Sequence, residues 1–297
     1  MTSRINRTAL VILGGLMLTG IITAQNNIIR NPPEATVSPE STIFPEMTIE
    51  PEATVEFDMS SALLVEGSGI RFSVPAAVAS GATAASVAAV AFDASNPLEG
   101  AAPAHEAFAF DGYMPGSEVA PYLWTSAELR VFNTADFADY TLGQDTLNFP
   151  SESAALRRIL GERVELATEA RLPYLPVIAP NQSFHVRERY IEFEGGSGIL
   201  YLAYYSFSVD PILEGQIVAI FQGLSDDGLT YISAAMPLDT NYLLDAVPEN
   251  FDYTAFSAGY ESYVQSIRVG LNEQPPSLFS PGLDALEAMF TSIVIVR

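Results

Sequence analysis

The chain is 297 residues long, with 13 basic against 36 acidic side chains, two histidines and no cysteine. Every one of the 13 basic residues is arginine, so there is no Walker A loop, Schiff-base lysine, Ser-x-x-Lys nucleophile, thiol catalysis, disulfide, cysteine-held zinc, iron–sulfur cluster or lipid-anchored N-terminal cysteine. A net charge of −23 opposes binding to nucleic acid or to an anionic membrane.

Arg4 and Arg7 precede an apolar stretch from Ala9 to Ile22, and Ile22-Thr23-Ala24 follows. This is the charged, apolar and small-residue order of a secretory signal peptide. It predicts residues 1–24 as the signal, with cleavage between Ala24 and Gln25. The stretch falls short of the ~20 apolar residues that a relaxed membrane span needs. An uncut signal anchor is the alternative, because Ile28 and Ile29 follow Asn26 and Asn27. That anchor is the only membrane attachment expected. Either way the rest of the chain is expected outside the cytoplasm, secreted or at the cell surface, where disulfides are permitted but not required.

From Pro33 to Glu56 the chain reads PEATVS, PESTIF, PEMTIE, PEATVE, four hexapeptides with Pro at 33, 39, 45 and 51 and Glu at 34, 40, 46 and 52. Proline every sixth residue blocks a helix and removes backbone donors. Residues 25–58 are therefore predicted to be a disordered Pro/Glu/Thr linker, reaching about 75 Å where it is polyproline-like. It reads as a stalk holding the next domain off the surface, or as a plain spacer. Residues 59–297 are predicted to be one globular domain, with ten arginines against 29 acids.

Within that domain, Leu63 to Val65 and Gly69 to Pro75 read as a hairpin. Ala76 to Phe92 is too alanine-rich for periodicity to choose between helix and strand. His105 to Tyr113 and Glu128 to Asn133 read as strands. Thr134 and Ser151 each suit the cap of a short helix. Phe184 to Glu194 and Ile199 to Ser208 are β-rich runs flanking Gly195-Gly196-Ser197-Gly198. A four-residue loop there would set Glu192 opposite Tyr201, Tyr190 opposite Ala203, Arg189 opposite Tyr204 and Glu188 opposite Tyr205. Gln216 to Leu224 and Leu229 to Met236 form a second hairpin about Asp227-Gly228. A helix over 252–272 carries Tyr253, Phe256, Tyr260, Val264, Ile267 and Leu271 at spacings of three and four. Ser280 and Pro281 open a last helix with Leu283, Leu286, Phe290 and Ile293 inward. The expected fold is α+β: an antiparallel meander of hairpins with helices packed on one face.

The runs FHVRERYIEFEGGSGILYLAYYS, FQGLSDDGLTYISAAMPL and LNEQPPSLFSPGLDALEAMFTSI resemble exported bacterial proteins of unassigned function, over roughly Ala104 to Ile293. The order of elements is similar to that of PsbP-like domains. Neither resemblance implies a catalytic residue.

No residue earns a catalytic, metal or cofactor assignment from its pattern. His105-Glu106 begins like a zinc-protease motif, but position 109 is alanine. His185 reads as structural, opposite Phe207-Ser208. Gly195-Gly196-Ser197-Gly198-Ile199 is neither a nucleophile elbow nor a dinucleotide loop, since no helix follows it. Asp226 and Asp227 with Asp239 or Asp245 offer oxygen ligands without calcium-loop spacing. Tyr201, Tyr204 and Tyr205 sit on a strand apolar on both faces. Core is the default reading of such a strand, and acid–tyrosine pairing favours instead a partly exposed edge lining a half-wet groove. Two readings stand. One is a non-catalytic domain at the cell exterior binding a protein or glycan. The other is an extracellular hydrolase using an Asp/Glu pair.

Overall fold

A computed structural model describes residues 57–91, 93, 101–113, 126–140, 148–178 and 180–296. The described residues all fall within one compact unit, Ile49–Arg297. The signal segment, the Ala24–Gln25 junction and the hexapeptide repeats all lie outside the described residues. Among the described residues no helix is long and apolar enough to cross a membrane.

The domain is α+β, built on antiparallel sheets. Its strands are β1 (Leu63–Gly67), β2 (Ile70–Val74), β3 (Gly81–Val87), β4 (His105–Asp111), β5 (Glu128–Asn133), β6 (Asn181–Phe193), β7 (Gly196–Ser206), β8 (Val218–Ser225), β9 (Thr230–Pro237) and β10 (Val294–Ile295). Its helices are α1 (Phe149–Glu162), α2 (Tyr253–Glu273) and α3 (Leu283–Thr291). A seven-stranded sheet runs β3-β4-β5-β9-β8-β7-β6, and a small sheet runs β1-β2-β10. The expected four-strand meander is β6 to β9. It folds back so that β9 pairs with β5, Phe132 facing Tyr231 and Leu129 facing Ala234.

The alanine-rich stretch resolves into a turn at Ala76–Val78 followed by edge strand β3. Asn148 rather than Ser151 caps α1. Its Oδ1 accepts from Ser151 N at 3.0 Å, and Ser151 Oγ accepts from Asn148 N at 2.9 Å, a reciprocal box.

The β6–β7 turn differs from the expected four-residue loop. It is Glu194-Gly195 alone, so Phe193 faces Gly196, Glu192 faces Ser197 and Tyr190 faces Ile199. Gly196 and Gly198 belong to the strand because aromatic rings lie across them. A Cβ on Gly196 would sit 2.4 Å from the Phe193 ring, and one on Gly198 would sit 2.7 Å from the Phe221 ring. Farther along β6 a bulge between Val186 and Arg189 leaves Arg187 and Glu188 out of register. Arg187 takes a φ of 58° there. Its Nε donates to Leu271 O at 2.7 Å and its N donates to Asn272 Oδ1 at 3.1 Å, so the bulge grips the end of α2.

Two cores result. α2 and α3 share one face of the large sheet. The small sheet lies on that face too: Phe72 of β2 meets Phe108 edge-on at 5.3 Å, and Phe221 stacks on Phe290 of α3 at 4.4 Å. The other face carries Ile199, Tyr201, Ala203, Tyr205, Ile220 and Tyr231, covered by Leu156 and Ile159 of α1 and by Leu172, Tyr174 and Leu175 of an irregular strap at 171–178.

Candidate functional site

The tyrosine strip is core. Tyr201, Tyr204 and Tyr205 are 0%, 4% and 4% exposed, which overturns the half-wet groove. The acid–tyrosine pairs behind that expectation do not form, because the register differs by four and the bulge removes Glu188 from the ladder.

The strap explains the polar atoms on this face. It makes no ladder, so its buried backbone groups need side-chain partners. Tyr174 N donates to Glu152 Oε2 at 2.9 Å, Leu175 N to Gln222 Oε1 at 3.0 Å, and Leu172 N to Gln182 Oε1 at 2.9 Å. Tyr201 OH donates to Pro173 O at 2.9 Å and Ser233 Oγ donates to Leu175 O. Glu152, 1% exposed, is also gripped by both terminal nitrogens of Arg171, at 2.8 and 2.5 Å. Burial drives the hydroxyls of Tyr201, Tyr205 and Tyr231 well above the ordinary tyrosine range. The pocket beside Glu152, Arg171, Tyr174, Gln182 and Tyr205 is about 50 Å3, room for a water or two and no substrate.

The other candidates fall into structural places. His105 lies against Phe132, ring centroids 4.7 Å apart and planes tilted by 34°, with Nδ1 2.8 Å from Pro103 O. His185 is buried opposite Ala203, not Phe207-Ser208. Its Nε2 donates to Glu169 O at 2.8 Å and its Nδ1 lies 2.5 Å from Glu188 Oε1, so both ring nitrogens are engaged. Burial works to raise the Glu188 carboxyl. The hydrogen bond from His185, its own backbone N–H and the nearby positive charges outweigh this and hold it below the usual range.

Glu214 is buried and accepts from Thr240 N, Thr240 Oγ1, Tyr242 N and Leu243 N at 2.6 to 2.9 Å, which folds the 240–243 loop around one carboxyl. Burial, with Asp239 beside it, raises its pKa. Asp227 Oδ1 closes the β8–β9 turn on Ser225 and Leu229, at the opposite end of β9 from Asp239. The structure therefore does not bring the calcium candidates together. Ser197 is a strand residue facing Glu192 and Leu224. Among the described residues, no group of three or more His, Asp or Glu is placed to hold a metal.

What stands open is α2. Its stripe was expected to lie wholly on the sheet, yet only Ile267 and Leu271 are buried. The N-terminal half holds no fully buried residue and is capped by Asp252 Oδ1, which accepts from Thr254 N and Ala255 N at 3.0 Å. Its rings pack on each other instead. Phe251 lies 4.9 Å from Tyr253 and 5.0 Å from Phe256, and Phe256 lies 5.7 Å from Tyr260 and 4.9 Å from Tyr263. Tyr263 OH accepts from Ile212 N at 2.9 Å, which ties this cluster to the loop after β7. Tyr253 is 49% exposed, and Phe207 and Val209 on that loop are 58% and 46% exposed. Sequence reasoning found the stripe and misplaced its environment. The available signal was its chemistry: Tyr253, Tyr260 and Tyr263 occupy the first three turns, where a buried stripe would favour leucine.

No protein-family model matches the chain, and comparison with curated proteins finds no match.

Proposed function

We propose that the protein is an exported, non-catalytic binding domain, presented at the cell exterior on its Pro/Glu/Thr segment, and that it holds a protein or glycan partner on the exposed half of α2. The observation that carries this reading is the partly exposed aromatic cluster at Phe251, Tyr253, Phe256 and Tyr260 on the capped first half of α2. Aromatic side chains in such a place supply contact area at low entropic cost and dominate binding hot spots. The hydrolase reading lacks comparable support. The buried acids Glu152 and Glu214 are each committed to local backbone groups, and Glu152 to Arg171 as well.

The test is retention of the full exported chain on isolated cell-surface material from its own source. The Tyr253→Ser/Phe256→Ser variant is expected to lose retention by at least about tenfold while keeping its melting temperature within a few degrees. Absence of retention by the native chain, or equal retention by the variant, overturns the reading.

A further inference from the structure

The charge pattern around α2 is one-sided. From residue 190 to residue 267 the chain carries no Arg, Lys or His, while acids stand at 192, 194, 210, 214, 226, 227, 239, 245, 249, 252 and 261. Asp245, Glu249, Asp252 and Glu261 are exposed on the segment leading into α2 and on its first turns. Burial raises the Tyr260 hydroxyl, and the nearby Tyr204 and then Asp210, on the loop after β7, add to the rise. A partly exposed aromatic cluster is therefore flanked by carboxylates, with Arg268 the cation at its far end, in a hollow that it shares with Tyr260 and Glu261.

We propose that the partner on this face is a basic polypeptide segment, one whose Arg or Lys side chains alternate with apolar ones. This rests on the binding-domain reading above. The ring faces of Tyr253, Phe256 and Tyr260 attract a guanidinium or ammonium group electrostatically, and the apolar stems beside those groups cover the rings. The carboxylate rim supplies long-range attraction and excludes acidic partners. A second copy of this chain is a poor occupant, because each copy brings −23 and the same acidic rim to the contact.

The experiment titrates the full exported chain with three fluorescent probes: a synthetic peptide of alternating Arg and Leu, its Glu–Leu counterpart, and a neutral cello-oligosaccharide. The Arg–Leu peptide is expected to bind, and to weaken severalfold as salt rises from about 0.05 M to about 0.2 M. Tyr253→Ser and Phe256→Ser are each expected to weaken it about tenfold, and the Asp245→Asn/Glu249→Gln/Glu261→Gln variant to flatten the salt dependence. The Glu–Leu peptide should not bind. Tyr253 is half-exposed, so its variant stays informative if Phe256→Ser folds poorly.

Failure of the Arg–Leu peptide to bind overturns the proposal, and so does binding indifferent to both aromatic substitutions. Binding of the oligosaccharide at Tyr253 and Phe256 overturns the partner class and leaves the binding-domain reading intact. A dimer in sedimentation that Phe256→Ser dissolves would assign the face to a second copy and overturn it equally.

Discussion

On the α3 side of the large sheet, rings pack on rings: Phe221 lies parallel to Phe290 with planes 8° apart, and Phe193 meets Phe221 edge-on at 6.2 Å. On the α1 side the same sheet presents Tyr201, Tyr205, Gln222, Tyr231 and Ser233, and a hydrogen-bonded chain runs through them to the strap. The difference follows from what covers each face. Helices and strands satisfy their own backbone, so the surface beneath them can be dry. An irregular segment brings unpaired N–H and C=O groups, and the surface beneath it must meet them. Polar atoms in this core therefore record where the chain crosses without secondary structure.

The largest loss is expected where packing alone is at stake. Phe290→Ala removes the ring stacked on Phe221 and is expected to cost about 3–5 kcal/mol by urea unfolding. A cost below about 1 kcal/mol would mean that the α3 side does not hold the sheet by close packing. On the strap side, Glu152→Ala removes the acceptor for Tyr174 N and the counter-charge of Arg171. Because the Arg171 side chain is 37% exposed, water takes over part of its charge. The expected loss is about 3 kcal/mol, at the low end for a broken buried pair. Glu152→Gln keeps one oxygen for Tyr174 and should cost less than Glu152→Ala. Equal costs would place the effect in charge alone.

Alternation and helical spacing placed β4 to β9, α2 and α3 within a few residues, because those patterns depend on nearest neighbours along the chain. Three things were not readable that way. Gly195-Gly196-Ser197-Gly198 looked like one loop, yet Gly196 and Gly198 are strand residues overlaid by Phe193 and Phe221, and Phe221 lies 23 positions beyond Gly198. The strap has no period of its own, and its partners Gln182, Gln222 and Ser233 stand ten to 58 residues away. Finally, the stripe on α2 is continuous in sequence, but how far the sheet extends beneath it is a property of the tertiary fold. The candidate site was thus visible as residues and invisible as a surface.

A smaller effect depends on pH. Burial raises the hydroxyls of Tyr201, Tyr205 and Tyr231, so the folded chain keeps protons that the unfolded chain releases. Stability from these groups is complete below the ordinary tyrosine pKa of about 10 and falls as pH rises beyond it. Tyr201→Phe leaves Pro173 O without its donor and should cost about 1–3 kcal/mol at neutral pH. It should also shed part of the alkaline loss seen in the native chain, whereas Phe290→Ala should leave the alkaline slope unchanged. Parallel pH curves for native chain and Tyr201→Phe would contradict a contribution of Tyr201 to that slope.

The smallest expected effect marks where the dry face ends. α2 carries glycines at 259 and 270, one in each half. A Cβ added at Gly270 would lie 2.1 Å from the Tyr242 hydroxyl oxygen and 2.2 Å from its Cζ, so the docked half has no space for one. A Cβ at Gly259 meets nothing within 4 Å. In a helix interior, alanine is favoured over glycine by about 0.5–1 kcal/mol when nothing obstructs it. Gly259→Ala should therefore raise stability by that amount, and Gly270→Ala should lower it, in the same urea titration. The sign at position 259 is what matters. A gain means that the Gly259 face of α2 is open to solvent, while the ring face of the same half keeps its Tyr263–Ile212 tie. A loss would mean that the Gly259 face is already packed against something.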